Sequence, residues 1–325
     1  MRRFSTRARA AIGLALGMAI TVSASAQNWP VKQLRMVIPF TPGSGTDVVG
    51  RAVAERLGAA LGHPIIVENR PGAGGTIGAG IVAKAEPDGY TILVQSSSHT
   101  VNPLTYSNLS YDTLRDLSAV TPLAALPNVL IIAPARGIRS VAELVAAAKA
   151  KPDSFNYASA GQGSATHLNA ERFRLAGGFQ GTHVPYKGTP EAVTDVIAGR
   201  VDYYFCPVVS AIPQIKDGRV LALAVGSPRR SSALPDLPTT LEAGLANSDY
   251  TFWVGMFVPS KTPREIVNRL YQETAKVLAA PELRKRLSDM GAEPMAMSPD
   301  QFDKYVADEI RSNAILVKAA GVKGN

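Results

Sequence analysis

One stretch near the start of the chain restricts the fold more than any other: Met36-Val37-Ile38-Pro39-Phe40-Thr41-Pro42-Gly43-Ser44-Gly45-Thr46-Asp47. Met36 to Ile38 is apolar and suited to a strand, Pro39 and Pro42 stop it, and Gly43 and Gly45 let the backbone turn without a Cβ penalty. A helix then runs from about Thr46 to Gly62. Its first turn leaves backbone N–H groups unpaired, and with the hydroxyls of Thr41, Ser44 and Thr46 they make an uncharged pocket that suits an anion. The same pattern returns at Phe155-Asn156-Tyr157-Ala158-Ser159-Ala160-Gly161-Gln162-Gly163-Ser164-Ala165-Thr166-His167-Leu168. Open α/β sheets place ligands at such turns, at the carboxyl ends of strands. Two turns in two different domains put the ligand between them.

The 325 residues and 46% hydrophobic content suit two domains with real cores. The net charge of +8 includes Arg2, Arg3, Arg7 and Arg9, and no acid precedes residue 27, so the rest of the chain carries only +4. So thin an excess does not argue for nucleic acid. The four arginines head a leader: Met1 to Arg9 is basic, Ala10 to Val22 apolar, and Ala24-Ser25-Ala26 fits the small-x-small rule before a cut at Ala26/Gln27. The apolar run is shorter than the roughly 20 residues of a spanning helix, and no cysteine follows the cut to carry a lipid, so residues 1–26 read as a removed signal peptide and the product as exported. Cys206, the single cysteine, excludes an internal disulfide and reads as a small buried hydrophobe behind Phe205.

Beyond the first helix the chain alternates strands and helices, as parallel-sheet domains do. Strands are expected at Pro64–Glu68, Tyr90–Val94, Leu117–Ala124, Asn128–Ala133, Thr182–Tyr186, Val201–Phe205, Val220–Val225 and Phe252–Val258. Helices are expected at Thr76–Lys84, Ser140–Lys149, Thr189–Gly199, Pro263–Ala279, Pro281–Met290 and Pro299–Ala320. Ile266, Val267, Leu270, Thr274, Val277 and Leu278 give the Pro263–Ala279 helix one apolar face. The chain leaves the first domain near residue 125 and crosses back after Arg229. The domains are therefore 27–125 with 229–325, and 126–228, joined by two crossings that make a hinge.

Other motifs are weaker. Gly78-Ala79-Gly80-Ile81-Val82-Ala83 fits a dinucleotide-binding pattern, but inside a helix, so close helix packing is the better reading. Ser96, Ser97, Ser98 and His99 end a strand and either touch a ligand or form a solvated loop. Ser164 and His167 share a helix face, yet Gly-x-Ser-x-Gly is absent and no acid orients the imidazole, so a Ser/His hydrolase is the weakest alternative. His63, His99, His167 and His183 lack metal-ligand spacing. No catalytic residue, metal or cofactor is expected. Asp47 reads as an anchor for turn N–H groups, because a carboxylate facing an anionic ligand would repel it. Phe40, Tyr157, Tyr203 and Tyr204 either line the cleft or belong to the core.

Several separated motifs, in order along the mature chain, carry a family resemblance: Pro39 to Asp47, Glu68-Asn69-Arg70-Pro71-Gly72-Ala73-Gly74-Gly75, Pro87-Asp88-Gly89-Tyr90-Thr91, Tyr111-Asp112, Ser159 to Leu168, Val184-Pro185-Tyr186-Lys187-Gly188, and Pro235 to Gly244. The chain resembles the Bug-type extracytoplasmic solute receptors, the binding component of tripartite tricarboxylate transporters. The resemblance implies a periplasmic, type II-like, two-domain α/β clamshell with mixed sheets flanked by helices and two hinge crossings. It implies a monomer that grips a small carboxylate, whether a di- or tricarboxylate or an aromatic one, and hands it to membrane permease subunits. A sensor kinase of a two-component system is the alternative partner. The expected ligand-binding residues are Phe40, Thr41, Pro42, Gly43, Ser44, Gly45, Thr46, Asp47, Ser97, Ser98, Ser159, Ala160, Gly161, Gly163, Ser164, His167 and Asp202. Ser44 stands where the family commonly has a second glycine, and Cys206 where an acid is common. A site without arginine can still suffice: micromolar binding takes about 8 kcal/mol, and each charge-assisted hydrogen bond contributes about 1.5–3 kcal/mol.

Overall fold

In a computed structural model of the chain, residues 29–151 and 154–323 are described. The leader expected at 1–26 lies outside them. The first sheet gathers β1 (Leu34–Ile38), β2 (Ile65–Asn69), β3 (Thr91–Ser96), β4 (Leu117–Ala125), β10 (Trp253–Pro259) and the short β11 (Glu293–Pro294), in the order β11-β4-β10-β3-β1-β2. The second gathers β5 (Asn128–Ile132), β6 (Asn156–Ser159), β7 (Thr182–Pro185), β8 (Tyr203–Pro207) and β9 (Leu221–Val225), in the order β7-β6-β8-β5-β9. Helices α1 (Gly45–Leu61), α2 (Thr76–Ala83), the single turn α3 (Asn102–Thr105), α8 (Arg264–Ala279), α9 (Pro281–Asp289) and α10 (Pro299–Ala320) serve the first sheet. Helices α4 (Val141–Ala150), α5 (Ala165–Gly177), α6 (Thr189–Ile197) and α7 (Val208–Lys216) serve the second.

Both sheets are mixed, and for the same reason. In the first, β1 runs parallel to β2 and β3, while β10 runs antiparallel to β3 and β4. In the second, β6 runs parallel to β7 and β8, while β5 runs antiparallel to β8 and β9. Strands β5 and β10 each follow a crossing. Each therefore starts at the carboxyl edge of the parallel strands: Asn128 pairs with Pro207 at the end of β8, and Val254 with Ser96 at the end of β3. The crossings thus form the floor of the cleft between the turns, and Leu126 N–H donates to Phe252 O at 2.8 Å to tie one crossing to the other.

The return crossing falls between Tyr250 and Trp253, not after Arg229. Residues 226–250 stay with the second sheet because Val225 bridges Thr239, Thr240 N–H donates to Val225 O, and Tyr250 N–H donates to Gly226 O. Elsewhere the expected elements form within two residues of their expected bounds; α3, α7 and β11 have no sequence counterpart above. The apolar face of α8 buries Ile266, Val267, Leu270, Thr274, Val277 and Leu278 as its spacing requires. Tyr157 and Tyr203 fall in the core of the second lobe, in an aromatic cluster with Phe155, Phe173, Phe179 and Phe205. Tyr204 and Cys206 are buried too. Gly78 and Gly80 pack against Pro39 and Ser110, where a Cβ would come within 2.6 Å of each, so that glycine pattern serves packing.

Candidate functional site

The first turn begins where β1 ends. Gly43 takes a φ of +84°, open to glycine at little cost, and its N–H donates to Asp47 at 2.9 Å. Asp47 also accepts from Arg51 Nε at 2.9 Å and from Asn69 Nδ2 at 2.8 Å, and Asn69 in turn donates to Phe40 O. All of its charge is spent on holding the turn. The first intrahelical bond of α1 runs from Val48 N–H to Ser44 O, so the N–H groups of Gly45, Thr46 and Asp47 precede the helical ladder.

The second turn is built differently. Ser159 Oγ accepts from Gly161 N–H at 3.0 Å and meets His183 Nε2 at 2.6 Å, while His183 Nδ1 faces Gln162 Oε1 at 2.8 Å. His167 Nδ1 accepts from Gly163 N–H at 3.1 Å, and Ser164 caps α5 by accepting from His167 N–H. The rings of His167 and His183 stack 3.7 Å apart. Burial, followed by the neighbouring His183, pushes His167 well below its ordinary range, and burial lowers His183 to about 4. Both rings are therefore neutral supports of the turn near neutral pH. Because His167 Nδ1 is taken by Gly163, it forms no dyad with Ser164 Oγ.

A cavity of about 20 Å³ lies between the turns, lined by Phe40, Ser44, Gly45, Thr46, Ser96, Ala160, Ser164, Ala165, Thr166, Thr189, Pro207 and Phe252. The amino ends of α1, α5 and α6 open on it, and Pro207 brings the start of α7 beside them. Helix amino ends carry partial positive charge. No charged side chain lines the cavity, so its electrostatics are those of dipoles and hydroxyls. The lobes meet around it through Thr189 N–H donating to Ser44 Oγ at 3.2 Å, Ser210 Oγ to Gly43 O at 3.1 Å, Thr41 Oγ1 to Glu191 at 3.1 Å, and Tyr106 OH to Gln162 O at 3.0 Å. The hydroxyl that distinguishes Ser44 from a glycine thus joins the lobes.

Of the expected residues, Phe40, Ser44, Gly45, Thr46, Ala160 and Ser164 line the cavity. Thr41, Pro42 and Gly43 lie outside its lining in the turn that leads to it, Asp47, Ser159 and His167 brace the turns, and Gly161 and Gly163 press against Gly74 and Thr105 of the opposite lobe. The expectation for Asp202 is corrected. It precedes β8 at the end of the sheet away from the cleft, where its carboxylate accepts from Asn156 N–H at 2.6 Å and pairs with Arg136. Ser97 and Ser98 do not line the cavity: Ser97 Oγ accepts from Tyr250 OH and Ser98 Oγ meets Ser96 Oγ, while Ser96 lines it. Sequence reading left Ser96 open and missed Ala165, Thr166, Thr189, Pro207 and Phe252 among the lining residues. The signal for Thr189 was present, since Pro185-Tyr186-Lys187-Gly188 also leads a strand into a helix.

Two mixed α/β sheets, a paired hinge and helix amino ends converging on a cavity between the lobes define the class of two-domain periplasmic binding proteins. Residues 49–322 match the family described as "Tripartite tricarboxylate transporter family receptor". The chain belongs to this family, the Bug-type solute receptors. The structure of periplasmic binding protein BugD is similar at 34% identity, covering 91% of this chain and all of that one, with a TM-score of 0.87. So is Rpa4515 of Rhodopseudomonas palustris with adipate, at 34% identity, 91% and 99% coverage and a TM-score of 0.88. MatC from the same organism, with bound malate, shows 32% identity, 89% and 100% coverage and a TM-score of 0.83. Among the described residues, no helix is long and apolar enough to cross a membrane.

Proposed function

We propose that this chain works in the periplasm as a monomer after leader removal, captures a small carboxylate between its lobes, and delivers it to the permease subunits of a tripartite tricarboxylate transporter. The observation that carries this reading is the convergence of the α1, α5 and α6 amino ends, with the hydroxyls of Ser44, Thr46, Ser164 and Thr166, on a cavity without a charged side chain. An anion is what such donors favour, because a neutral acceptor gains less from the dipoles and hydrogen bonds than a charged one. The cavity has room for about one water. A carboxylate therefore enters by parting the lobes about the Leu126–Phe252 hinge, and closing again supplies donors from both sides. The relatives that hold adipate and malate put dicarboxylates of that size first among the candidates, before aromatic and tricarboxylates.

A thermal-shift panel of mono-, di-, tri- and aromatic carboxylates, each beside its neutral amide, tests the reading. At about 100 times the dissociation constant, binding stabilises the fold by about 2.7 kcal/mol, or about 5–10 °C in melting temperature for domains of this size. At least one carboxylate gives that shift, its amide does not, and the ligand is recovered chemically unchanged. Stabilisation by the amide refutes the anion site, and turnover of the ligand refutes the receptor.

A further inference from the structure

A second and larger cavity opens on the hinge. It measures about 590 Å³, within the range of small-molecule sites, and is lined by Ala125, Leu126 and Pro127 of one crossing, Thr251 and Phe252 of the other, the Ser227–Ser232 segment with Pro235, and Glu293 of β11. Its chemistry differs from that of the cavity between the turns. Leu126, Pro127, Pro228, Pro235 and Phe252 give it an apolar floor, and two arginines stand on one wall. Arg230 is held by Glu242, with Nε 2.9 Å from Oε2, and donates to Pro235 O at 3.1 Å. Arg229 is exposed and makes no ion pair among the described residues. Glu293 is the one acidic side chain on the lining, and it belongs to the other lobe.

From this lining we infer that the hinge cavity is a second site, for a small amphiphilic organic anion whose acidic group meets Arg229 and whose apolar body lies on the Leu126–Phe252 floor. Occupancy is coupled to lobe closure. Both crossings and both lobes contribute walls, so rotation about the hinge changes the shape of the cavity. Phe252 also lines the cavity between the turns, so one residue borders both sites. A ligand that fits one hinge angle better than another shifts the population toward that angle, and the capture site must respond by the same factor.

The probe is 1-naphthalenesulfonate, with naphthalene-1-sulfonamide as its neutral counterpart, titrated calorimetrically into the full protein. The sulfonate shows one saturable site, and the sulfonamide binds at least about tenfold more weakly. Arg229→Glu weakens the sulfonate by about tenfold or more without changing the melting temperature, and Glu293→Gln tightens it. Ser164→Ala, in the cavity between the turns, leaves it unchanged. Saturation also changes the radius of gyration measured by small-angle scattering. Absence of saturable binding, equal binding in Arg229→Glu, or loss of binding in Ser164→Ala overturns the site, and an unchanged radius overturns the coupling. Loss of binding in Ser164→Ala would place the sulfonate between the turns, whereas the other negative results leave the carboxylate reading untouched.

Discussion

Single residues here carry charge inward and spend it on structure. Asp47 binds turn N–H groups, and three histidines, His99 and His167 buried and His183 half-buried, stay neutral. Burial lowers His183 to about 4, His99 to about 3 and His167 well below its ordinary range, whereas each titrates near 6.5 when unfolded. Between these limits the unfolded chain binds more protons at the three positions, so stability rises with pH. Glu309 acts in the opposite sense. It accepts from Trp253 Nε1 at 2.8 Å and from Thr100 Oγ1 at 3.0 Å, and burial raises it to about 7 from an ordinary 4.5. Its contribution is full below about 4.5 and is lost as pH rises through 7. From pH 5.5 to 6.5 the histidines prevail, by about 1.8 protons at the acid end and about 0.8 at the other, a mean slope of about 2 kcal/mol per pH unit. Urea midpoints therefore fall on acidification through that window, and Glu309→Gln steepens the fall by about 1.4 kcal/mol per unit at most. A flat profile, or one that Glu309→Gln leaves unchanged, contradicts these assignments. Such roles were only partly legible in the sequence. Asp47 was readable because a carboxylate does not suit an anion site. In the Ser96–Ser98 run the hydroxyl facing the cavity depends on where β3 ends, and three consecutive serines do not mark that point.

At the scale of elements, the sequence showed what periodicity and turn chemistry can show. The two long strand-turn-helix units, the apolar face of α8 and the cap of α4, where Ser140 accepts from Glu143 N–H, all follow from local pattern. Two features did not. Residues 226–250 contain no strand pattern, since their attachment to the second sheet is one bridge and a few backbone bonds, so the return crossing looked 20 or so residues earlier than it is. Helix α7 carries Pro207 at its start and Pro213 within it, residues that ordinarily interrupt a helical pattern, and no helix was expected there. The third unit, β7 to α6, matters most for closure. Gly188 has extended backbone, with a φ of −174°, but a Cβ there would fall 1.9 Å from Thr41 Oγ1 and 2.7 Å from Ser44 Oγ of the opposite lobe. Gly188→Ala therefore folds normally and closes poorly. With a carboxylate hit from the thermal-shift panel, small-angle scattering shows the wild-type chain contracting and Gly188→Ala failing to contract, with about tenfold weaker binding. Full contraction of the variant contradicts this packing.

The whole molecule is two similar lobes, each entered from the cleft side by an antiparallel strand, so that hinge, turns and helix amino ends share one edge. In the reading proposed above, each lobe supplies donors and closure brings them together, so that a carboxylate is held without a cationic side chain. The most direct test is calorimetric titration of the same carboxylate hit into the wild-type chain and into the double variant Thr46→Ala/Ser164→Ala, which removes one lining hydroxyl from each lobe. Each lost hydroxyl leaves a partner less well satisfied, at about 1–3 kcal/mol apiece. One ligand binds per wild-type chain, and affinity in the double variant drops by about thirtyfold or more. Equal affinity in the two proteins would place the ligand elsewhere and contradict the account.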